Sequence, residues 1–302
     1  MRLATIDIGS NSLHMLVVDV DSAGHFKVLG TEKEMVRLGA GSLKTHHLSE
    51  ETIKRTIQTL VRYRDFANAQ HASHLIATAT SAVRESDNRD EFIERVKQAT
   101  GIRVELLSST EEARLIALAV NHIFQLRNEV ALIVDIGGGS TEFAITRQGE
   151  PLLLRSNKLG AVRLTDGFIN HDPPSKSEIQ KLRKHIRDQM VHTAREVKNI
   201  GFQRAVGTSG TIMALAAMAT RQYQRADTGR LTLRALKRLN VDLISANLRQ
   251  RRLMLTDNPQ RADIIIAGGL LLEEIMSACR IDELESCDWA LREGVLLNFL
   301  ET

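Results

Sequence analysis

Apolar positions along this chain fall into short continuous runs separated by longer stretches of helical spacing. Leu3-Ala4-Thr5-Ile6-Asp7-Ile8 breaks at Gly9-Ser10-Asn11-Ser12 and resumes as Leu13-His14-Met15-Leu16-Val17-Val18. A second run, Leu132-Ile133-Val134-Asp135-Ile136, breaks at Gly137-Gly138-Gly139-Ser140 and resumes after Thr141 as Glu142-Phe143-Ala144-Ile145. Runs of this length, bounded by glycine and small polar residues, predict strands joined by tight turns. Each copy therefore predicts a hairpin with a glycine-rich tip. The copies are offset by 128 residues, and such an internal echo predicts one structural plan used twice.

The elements that follow each hairpin match as well. Turn residues Asp21-Ser22-Ala23-Gly24 precede a third strand from Phe26 to about Met35, and Gln148-Gly149-Glu150-Pro151 precede one near Leu152 to Arg155. Ser49 is placed to cap a helix with Ile53, Ile57, Leu60 and Val61 on one face. Ser175-Lys176-Ser177-Glu178 reads as a capping box ahead of Ile179, Leu182, Ile186 and Met190. Short strands are expected at Leu75–Thr78 and at Ala205–Gly207. The order in each half is three strands, helix, strand, helix, which predicts an α/β protein of two lobes facing each other across a cleft. The lobes are expected at residues 1–124 and 125–302. Their polar joint, Gln125-Leu126-Arg127-Asn128-Glu129, follows a helix carrying Ala113, Ile116, Ala117, Val120 and Phe124. Trp289 to Thr302 predicts a last helix that packs back on the first lobe.

Composition narrows the function. Among 302 residues, 40 basic against 37 acidic side chains leave a net charge of only +3, and aromatics are 4%. Weak net charge and few stacking rings argue against a nucleic-acid partner. The longest apolar stretch, Ile264 to Leu272, is nine residues with two glycines, too short to span a bilayer, so no membrane partner is expected. An acidic residue as early as Asp7 argues against a secretory leader, and Cys279 and Cys287 have no metal-ligand spacing, so the expected location is the cytoplasm. One basic stretch stands out: Arg221, Arg225, Arg230, Arg234, Lys237, Arg238, Arg249, Arg251 and Arg252, opposed only by Asp227 and Asp242. It reads either as a solvated helical face or as a guide for a long anionic substrate.

The tips carry the chemistry. Successive glycine-rich N–H groups form an anion-binding nest, phosphate above all. Gly9, Ser10, Asn11 and Ser12 form one candidate, and Gly137, Gly138, Gly139, Ser140 and Thr141 another, the Ser and Thr residues adding hydroxyl donors. A third, Gly207-Thr208-Ser209-Gly210-Thr211, predicts a strand-to-helix turn with free amides. No Gly-x-x-x-x-Gly-Lys-Ser/Thr motif is present, which excludes a P-loop. Glu142 stands where a dinucleotide fingerprint needs its third glycine. Carboxylates beside phosphate loops are costly without a cation, so Asp135 and Glu142, with Asp7 as a further candidate, point to Mg²⁺ or another hard divalent cation. Glu112 admits two readings: the partner of Ser109 in a capping box, or a base that activates water. Arg84 likewise reads as a surface ion pair with Glu85 or Asp87, or as a cation for a transferring phosphoryl group.

Together, Asp7-Ile8-Gly9-Ser10-Asn11-Ser12-Leu13-His14-Met15, Glu111-Glu112-Ala113-Arg114-Leu115, Asp135 to Glu142, Gly207 to Thr211 and Leu291-Arg292-Glu293-Gly294-Val295 resemble the exopolyphosphatase / guanosine pentaphosphate phosphohydrolase (Ppx/GppA) family of the actin–Hsp70–sugar kinase superfamily. The resemblance implies two ribonuclease-H-like (actin-like ATPase) lobes with an interlobe cleft. It implies hydrolysis of terminal phosphate from inorganic polyphosphate, or alternatively from the 5′ end of pppGpp. Glu112 matches the family's catalytic base, Asp135 and Glu142 its metal carboxylates, and Arg84 a phosphate-contacting arginine. More remote alternatives are a kinase of the same superfamily and a non-enzymatic nucleotide-gated scaffold. The chain looks like the short form of the family, without the helical C-terminal region of long members; a homodimer would then supply an extended channel.

Overall fold

The computed structural model describes residues 1–21, 25–126, 129–222 and 229–301. Ser22 to Gly24 of the first turn, Arg127 and Asn128 of the joint, Arg225 and Asp227 of the basic stretch, and Thr302 lie outside them. In chain order the elements are β1 (Arg2–Ile8), β2 (Leu13–Val20), β3 (Phe26–Glu34), α1 (Ser42–Thr45), α2 (Glu50–Ala69), β4 (His74–Ala79), α3 (Ser81–Arg84), α4 (Arg89–Thr100), β5 (Val104–Leu106) and α5 (Ser109–Phe124). They continue as β6 (Val130–Ile136), β7 (Thr141–Arg147), β8 (Glu150–Asn157), α6 (Ala161–Phe168), α7 (Lys176–Ile200), β9 (Arg204–Thr208), α8 (Ser209–Gln222), β10 (Arg230–Thr232), α9 (Leu233–Ser245), α10 (Leu248–Met254), a 3₁₀ turn at Pro259–Arg261, α11 (Ile265–Cys279), β11 (Glu283–Ser286) and α12 (Leu291–Glu301).

The backbone divides into two compact units, Met1–Ala119 with Leu291–Thr302, and Val120–Ala290. The division falls inside α5, ahead of the joint expected at 125. The first unit is built on a five-stranded sheet in the order β3-β2-β1-β4-β5, with β1–β2–β3 antiparallel and β4 and β5 parallel to β1. The second holds a six-stranded sheet ordered β10-β11-β9-β6-β7-β8. Its run β8-β7-β6-β9-β11 repeats the first sheet strand for strand, with β10 added antiparallel at the edge. This is the ribonuclease-H-like plan expected of each lobe. Continuous apolar runs suit strands buried on both faces, and β1 and β6 are almost wholly buried.

Helices cover both faces of the first sheet. On one, Leu296 of α12 joins Leu3, Leu16, Val18 and Val20, with Phe26 and Phe299 packed alongside. On the other lies α2, capped as expected by Ser49, whose hydroxyl accepts from the Thr52 amide. The buried stripe of α2 is Ile53, Thr56, Leu60, Tyr63 and Ala67 rather than the all-aliphatic face expected, because Ile57 and Val61 are only partly covered. Tyr63 is admitted because its hydroxyl donates to the Leu13 carbonyl at 3.1 Å.

In the second unit the capping box on α7 is present, with Ser175 and Glu178 bonded reciprocally. The apolar run at Ile264–Leu272 forms most of α11, which is buried along its length and packs against α6, α7, α8 and α9. A helix apolar all round belongs in a core, and among the described residues no helix is long and apolar enough to cross a membrane. Its two carboxylates, Glu273 and Glu274, are matched by Arg183 at 2.9 and 2.6 Å.

Helices α5 and α12 touch at one glycine. A Cβ on Gly294 would stand 2.0 Å from the Leu115 carbonyl oxygen, in a helix interior where nothing flexible can yield. Gly294→Ala should therefore destabilise the protein by about 1–3 kcal/mol, the usual range for overpacking, read as a lower urea midpoint at unchanged slope.

Candidate active site

Chemistry gathers at the carboxyl ends of the central strands of each sheet, the edge where α/β sheets bind ligands. In the first unit the β1–β2 tip is closed by Gly9 N–H donating to the Ser12 carbonyl at 3.2 Å. The Ser10 and Asn11 carbonyls accept from Gly39 and Arg37 at 2.6 and 2.8 Å. All three carbonyls are thus turned into protein, while the amides of Ser10, Asn11 and Ser12 find no acceptor among the described residues. The hydroxyls are engaged: Ser10 Oγ lies 3.1 Å from Ser81 Oγ, and Ser12 Oγ lies 2.8 Å from His14 Nε2.

Asp7 is the penultimate residue of β1, opposite His14. Its Oδ1 is out of reach of solvent and has no hydrogen-bond partner among the described residues. Burial, reinforced by the negative charge of Glu112, pushes its carboxyl up to about 7; Arg292 pulls the other way and Glu293 adds to the rise.

The two readings of Glu112 separate here. The cap of α5 is Ser108, not Ser109: Ser108 Oγ accepts from the Glu111 amide at 3.1 Å. Glu111 spends its carboxylate on both guanidinium ends of Arg114, at 2.9 and 2.7 Å. Glu112 is therefore released from capping. Only 7% exposed, it accepts from Arg84 Nη1 at 2.9 Å. Burial raises its pKa and the Arg84 charge opposes the rise. Arg84 pairs with neither Glu85 nor Asp87. Its Nη1 bridges Glu112 and the Leu107 carbonyl, 2.8 Å away, and its Nε and Nη2 make no bond within the described residues.

In the second unit Asp135 and Glu142 face each other across the β6–β7 ladder. Both are buried, at 7% and 2% exposure. Glu142 Oε1 accepts from Ser156 Oγ at 2.8 Å. At the tip, Gly137 N–H closes onto the Ser140 carbonyl at 2.9 Å, and the Gly137 and Gly138 carbonyls accept from the first amides of α6. The amides of Gly138, Gly139 and Ser140 have no acceptor among the described residues. A Cβ on Gly160 would stand 2.3 Å from the Gly138 carbonyl oxygen, so this tip depends on a distant glycine that the tip motif does not reveal.

The turn after β9 differs from expectation in detail. Ser209 holds φ at 86°, a left-handed conformation that costs a non-glycine residue energy. Its hydroxyl donates to the Ile136 carbonyl at 2.8 Å. Gly207 is a packing position, since a Cβ there would meet Leu284 at 2.4 Å and Ile212 at 2.9 Å. Thr141 is fully buried with its hydroxyl on the Leu159 carbonyl at 2.5 Å, and Thr211 is buried against Gly268. The Thr141 hydroxyl is thus spent within the fold. Folding spends the hydroxyls of Ser10, Ser12, Thr141 and Ser209 on partners within the protein, and the tips keep their backbone N–H groups.

Sequence reasoning missed Arg261 and gave Arg292 no role. Arg261 is 6% exposed, its guanidinium lies against Gly210, and its Nε has no hydrogen-bond partner among the described residues. Burial lowers its pKa to about 10 while Asp135 and Asp263 hold it up. No spacing signal could have found it, since it comes from the 3₁₀ turn far along the chain. Arg292, on the first turn of α12, pairs with Glu293 at 3.2 Å and acts on Asp7.

Amide nests, a buried glutamate–arginine pair and facing carboxylates on ribonuclease-H-like sheets define a phosphate-handling protein of this α/β class. The Ppx/GppA phosphatase family matches residues 16–302, and the chain belongs to it. It is similar to exopolyphosphatase 1 of Mycobacterium leprae, 32% identical over all of this chain and 90% of that one. It is also similar to exopolyphosphatase 2 of Mycobacterium tuberculosis, 30% identical over 98% of each. Among solved structures, an exopolyphosphatase from Cytophaga hutchinsonii superposes with a TM-score of 0.93 at 29% identity, covering 100% of this chain and 98% of that one.

The Asp7 carboxyl makes a testable statement about stability. Below about pH 4 it is protonated whether folded or unfolded. Between there and about 7 only the folded form holds the proton, and above 7 it is ionised in a buried place. Folding thus loses stability as pH rises from about 4 to 7. Asp7→Asn should raise Tm progressively across that range, level off above it, and do nothing at pH 3; thermal melts from pH 3 to 9 measure this.

Proposed function

We propose that this protein is an exopolyphosphatase that removes terminal phosphate from inorganic polyphosphate, with Glu112 as general base. The observation that carries the reading is the buried Glu112 carboxylate, free of capping duty and hydrogen-bonded to Arg84. The exopolyphosphatase names of the full-length relatives support the same substrate.

In the proposed reaction Glu112 accepts a proton from water as its oxygen bonds to the terminal phosphorus. The bond from that phosphorus to the bridging oxygen breaks, and the shortened chain leaves with the electron pair. Burial makes Glu112 a stronger base than an exposed glutamate, and Arg84 keeps it ionised. The unused Nε and Nη2 of Arg84 are donors for the oxygens of the phosphoryl group. Amides at the glycine tips bind phosphate oxygens without a mobile side chain. Arg261, whose Nε has no hydrogen-bond partner among the described residues, is a further phosphate ligand.

Asp135 and Glu142 are a donor set that suits Mg²⁺ or a similar hard ion: two buried carboxylates, oxygen only, on adjacent strands. Held there, such an ion would neutralise phosphate charge that the carboxylates alone would repel. The orphan Oδ1 of Asp7 is a further oxygen suited to a cation or its bound water. Guanosine pentaphosphate offers the same terminal anhydride, so the same machinery serves it as the alternative substrate.

Phosphate release from tripolyphosphate, long-chain polyphosphate, guanosine pentaphosphate and ATP tests the reading. Fastest turnover is expected on polyphosphate, and release from guanosine pentaphosphate alone would overturn it. Glu112→Gln keeps the side-chain volume and should lower kcat by about two to four orders of magnitude with Tm nearly unchanged. Asp135→Asn should move the Mg²⁺ activation curve to higher concentration, measured as rate against free metal.

A further inference from the structure

We propose that the exposed face of α9 and α10 is a docking surface for the distal part of a long polyphosphate strand. This rests on the exopolyphosphatase reading and adds to it a means of preferring long substrates. Helix α9 buries Ala235, Leu236, Leu239 and Leu243 and exposes Arg234, Lys237, Arg238 and Val241. Those positions fall on one stripe of the helix. Helix α10 exposes Arg249, Gln250, Arg252 and Leu253. The one carboxylate on the two helices, Asp242, accepts from the Gln222 amide.

Neutralisation of surface arginines is common elsewhere in the protein and is not found at four basic positions of this face among the described residues. Arg62 pairs with Glu34 at 2.9 Å, Arg95 with Glu50 at 2.7 Å, Arg155 with Glu196 at 2.7 Å and Arg230 with Glu283 at 3.0 Å. Arg234, Lys237, Arg249 and Arg252 have no carboxylate within ion-pair distance among the described residues. Like charges three and four residues apart repel and weaken a helix, and an anionic strand relieves that repulsion. The occupant follows from what the face lacks. Neither helix carries an aromatic residue on which a base could stack. The apolar side of α9 is spent on the core, and the exposed apolar residues of the two helices are single, Val241 and Leu253, which is no apolar face of the kind that enters a lipid surface. A repeating phosphate chain needs only cations, and guanidinium groups match its oxygens two at a time.

The face is fixed to the phosphate turn of the same unit. Arg251 of α10, 4% exposed, donates through Nε to the Ala262 carbonyl at 2.8 Å and pairs with Asp172 at 2.7 Å. The residue before Ala262 is Arg261, whose guanidinium lies on Gly210. Helix α10 is thereby pinned to the segment that reaches the Ser209–Gly210 turn.

The test uses the full chain carrying Arg234→Gln, Lys237→Gln, Arg249→Gln and Arg252→Gln together, exposed positions where glutamine keeps good helix propensity. KM and kcat are measured on long-chain polyphosphate and on tripolyphosphate over a range of salt. The expected result is a KM on the long chain raised at least about ten-fold. Its dependence on salt should flatten, by about 0.7 in slope for each phosphate no longer neutralised. Tripolyphosphate kinetics should stay as in the unsubstituted protein. An unchanged KM on the long chain, or an equal rise on both substrates, would overturn the docking surface and leave the exopolyphosphatase reading standing. If the unsubstituted protein releases no phosphate from either substrate, that reading falls instead, and gel retardation of long-chain polyphosphate, which needs no turnover, still decides the docking surface. Loss of binding to transfer RNA or to phosphatidylserine vesicles, with long-chain KM unchanged, would assign the face to another polyanion and overturn the proposal.

Discussion

Burying the Glu112 carboxylate is costly, and Arg84 is the group that offsets it. Their meeting is a product of parallel strand pairing. Ala79 at the end of β4 lies beside Leu106 at the end of β5, so the segments leaving these strands emerge together. Arg84 leaves through α3, and Glu112 enters on the first turn of α5. The Leu107 carbonyl, shared by the same Nη1, locks the guanidinium to the strand end that precedes Glu112. A truncated Arg84 would leave an unpaired buried anion, and its loss would be felt first as a rise in the Glu112 pKa.

The second constraint is backbone polarity at the glycine tips. Each tip turns its carbonyls into protein, onto Gly39 and Arg37 in one case and onto the start of α6 in the other. The amides of Ser10 to Ser12 and of Gly138 to Ser140 are left without an acceptor among the described residues, the arrangement of an anion nest. The glycines that permit this are not all in the tips. Gly160 must lack a side chain for α6 to approach Gly138. Ser209 adds a strained backbone at the third loop, where its φ of 86° is held by the bond from its hydroxyl to Ile136.

Much of this was legible in the amino-acid pattern. The paired hairpins, the capped helices at Ser49 and Ser175, and the strand-to-helix turn at Thr208 lie within a residue or two of where apolar spacing and caps put them. The short strands β5, β10 and β11 were not legible: three or four residues carry too little periodicity, and β10 and β11 are strands because of the neighbours they pair with. Arg261 was invisible for a similar reason. A lone arginine in a polar loop carries no sign of burial until the chain folds around it.

Sequence by itself settled the two-copy α/β plan, the family and which loops are glycine-tipped, because strand runs, turn residues and caps act over a few neighbouring positions. Tertiary structure decided the roles within that plan. It chose Ser108 over Ser109 as the cap, gave Arg84 to Glu112 rather than to Glu85 or Asp87, and took the Thr141 and Thr211 side chains into the interior. Those outcomes depend on burial and on partners distant in the chain, and both the cost of a buried charge and the geometry that offsets it exist only after the strands have paired.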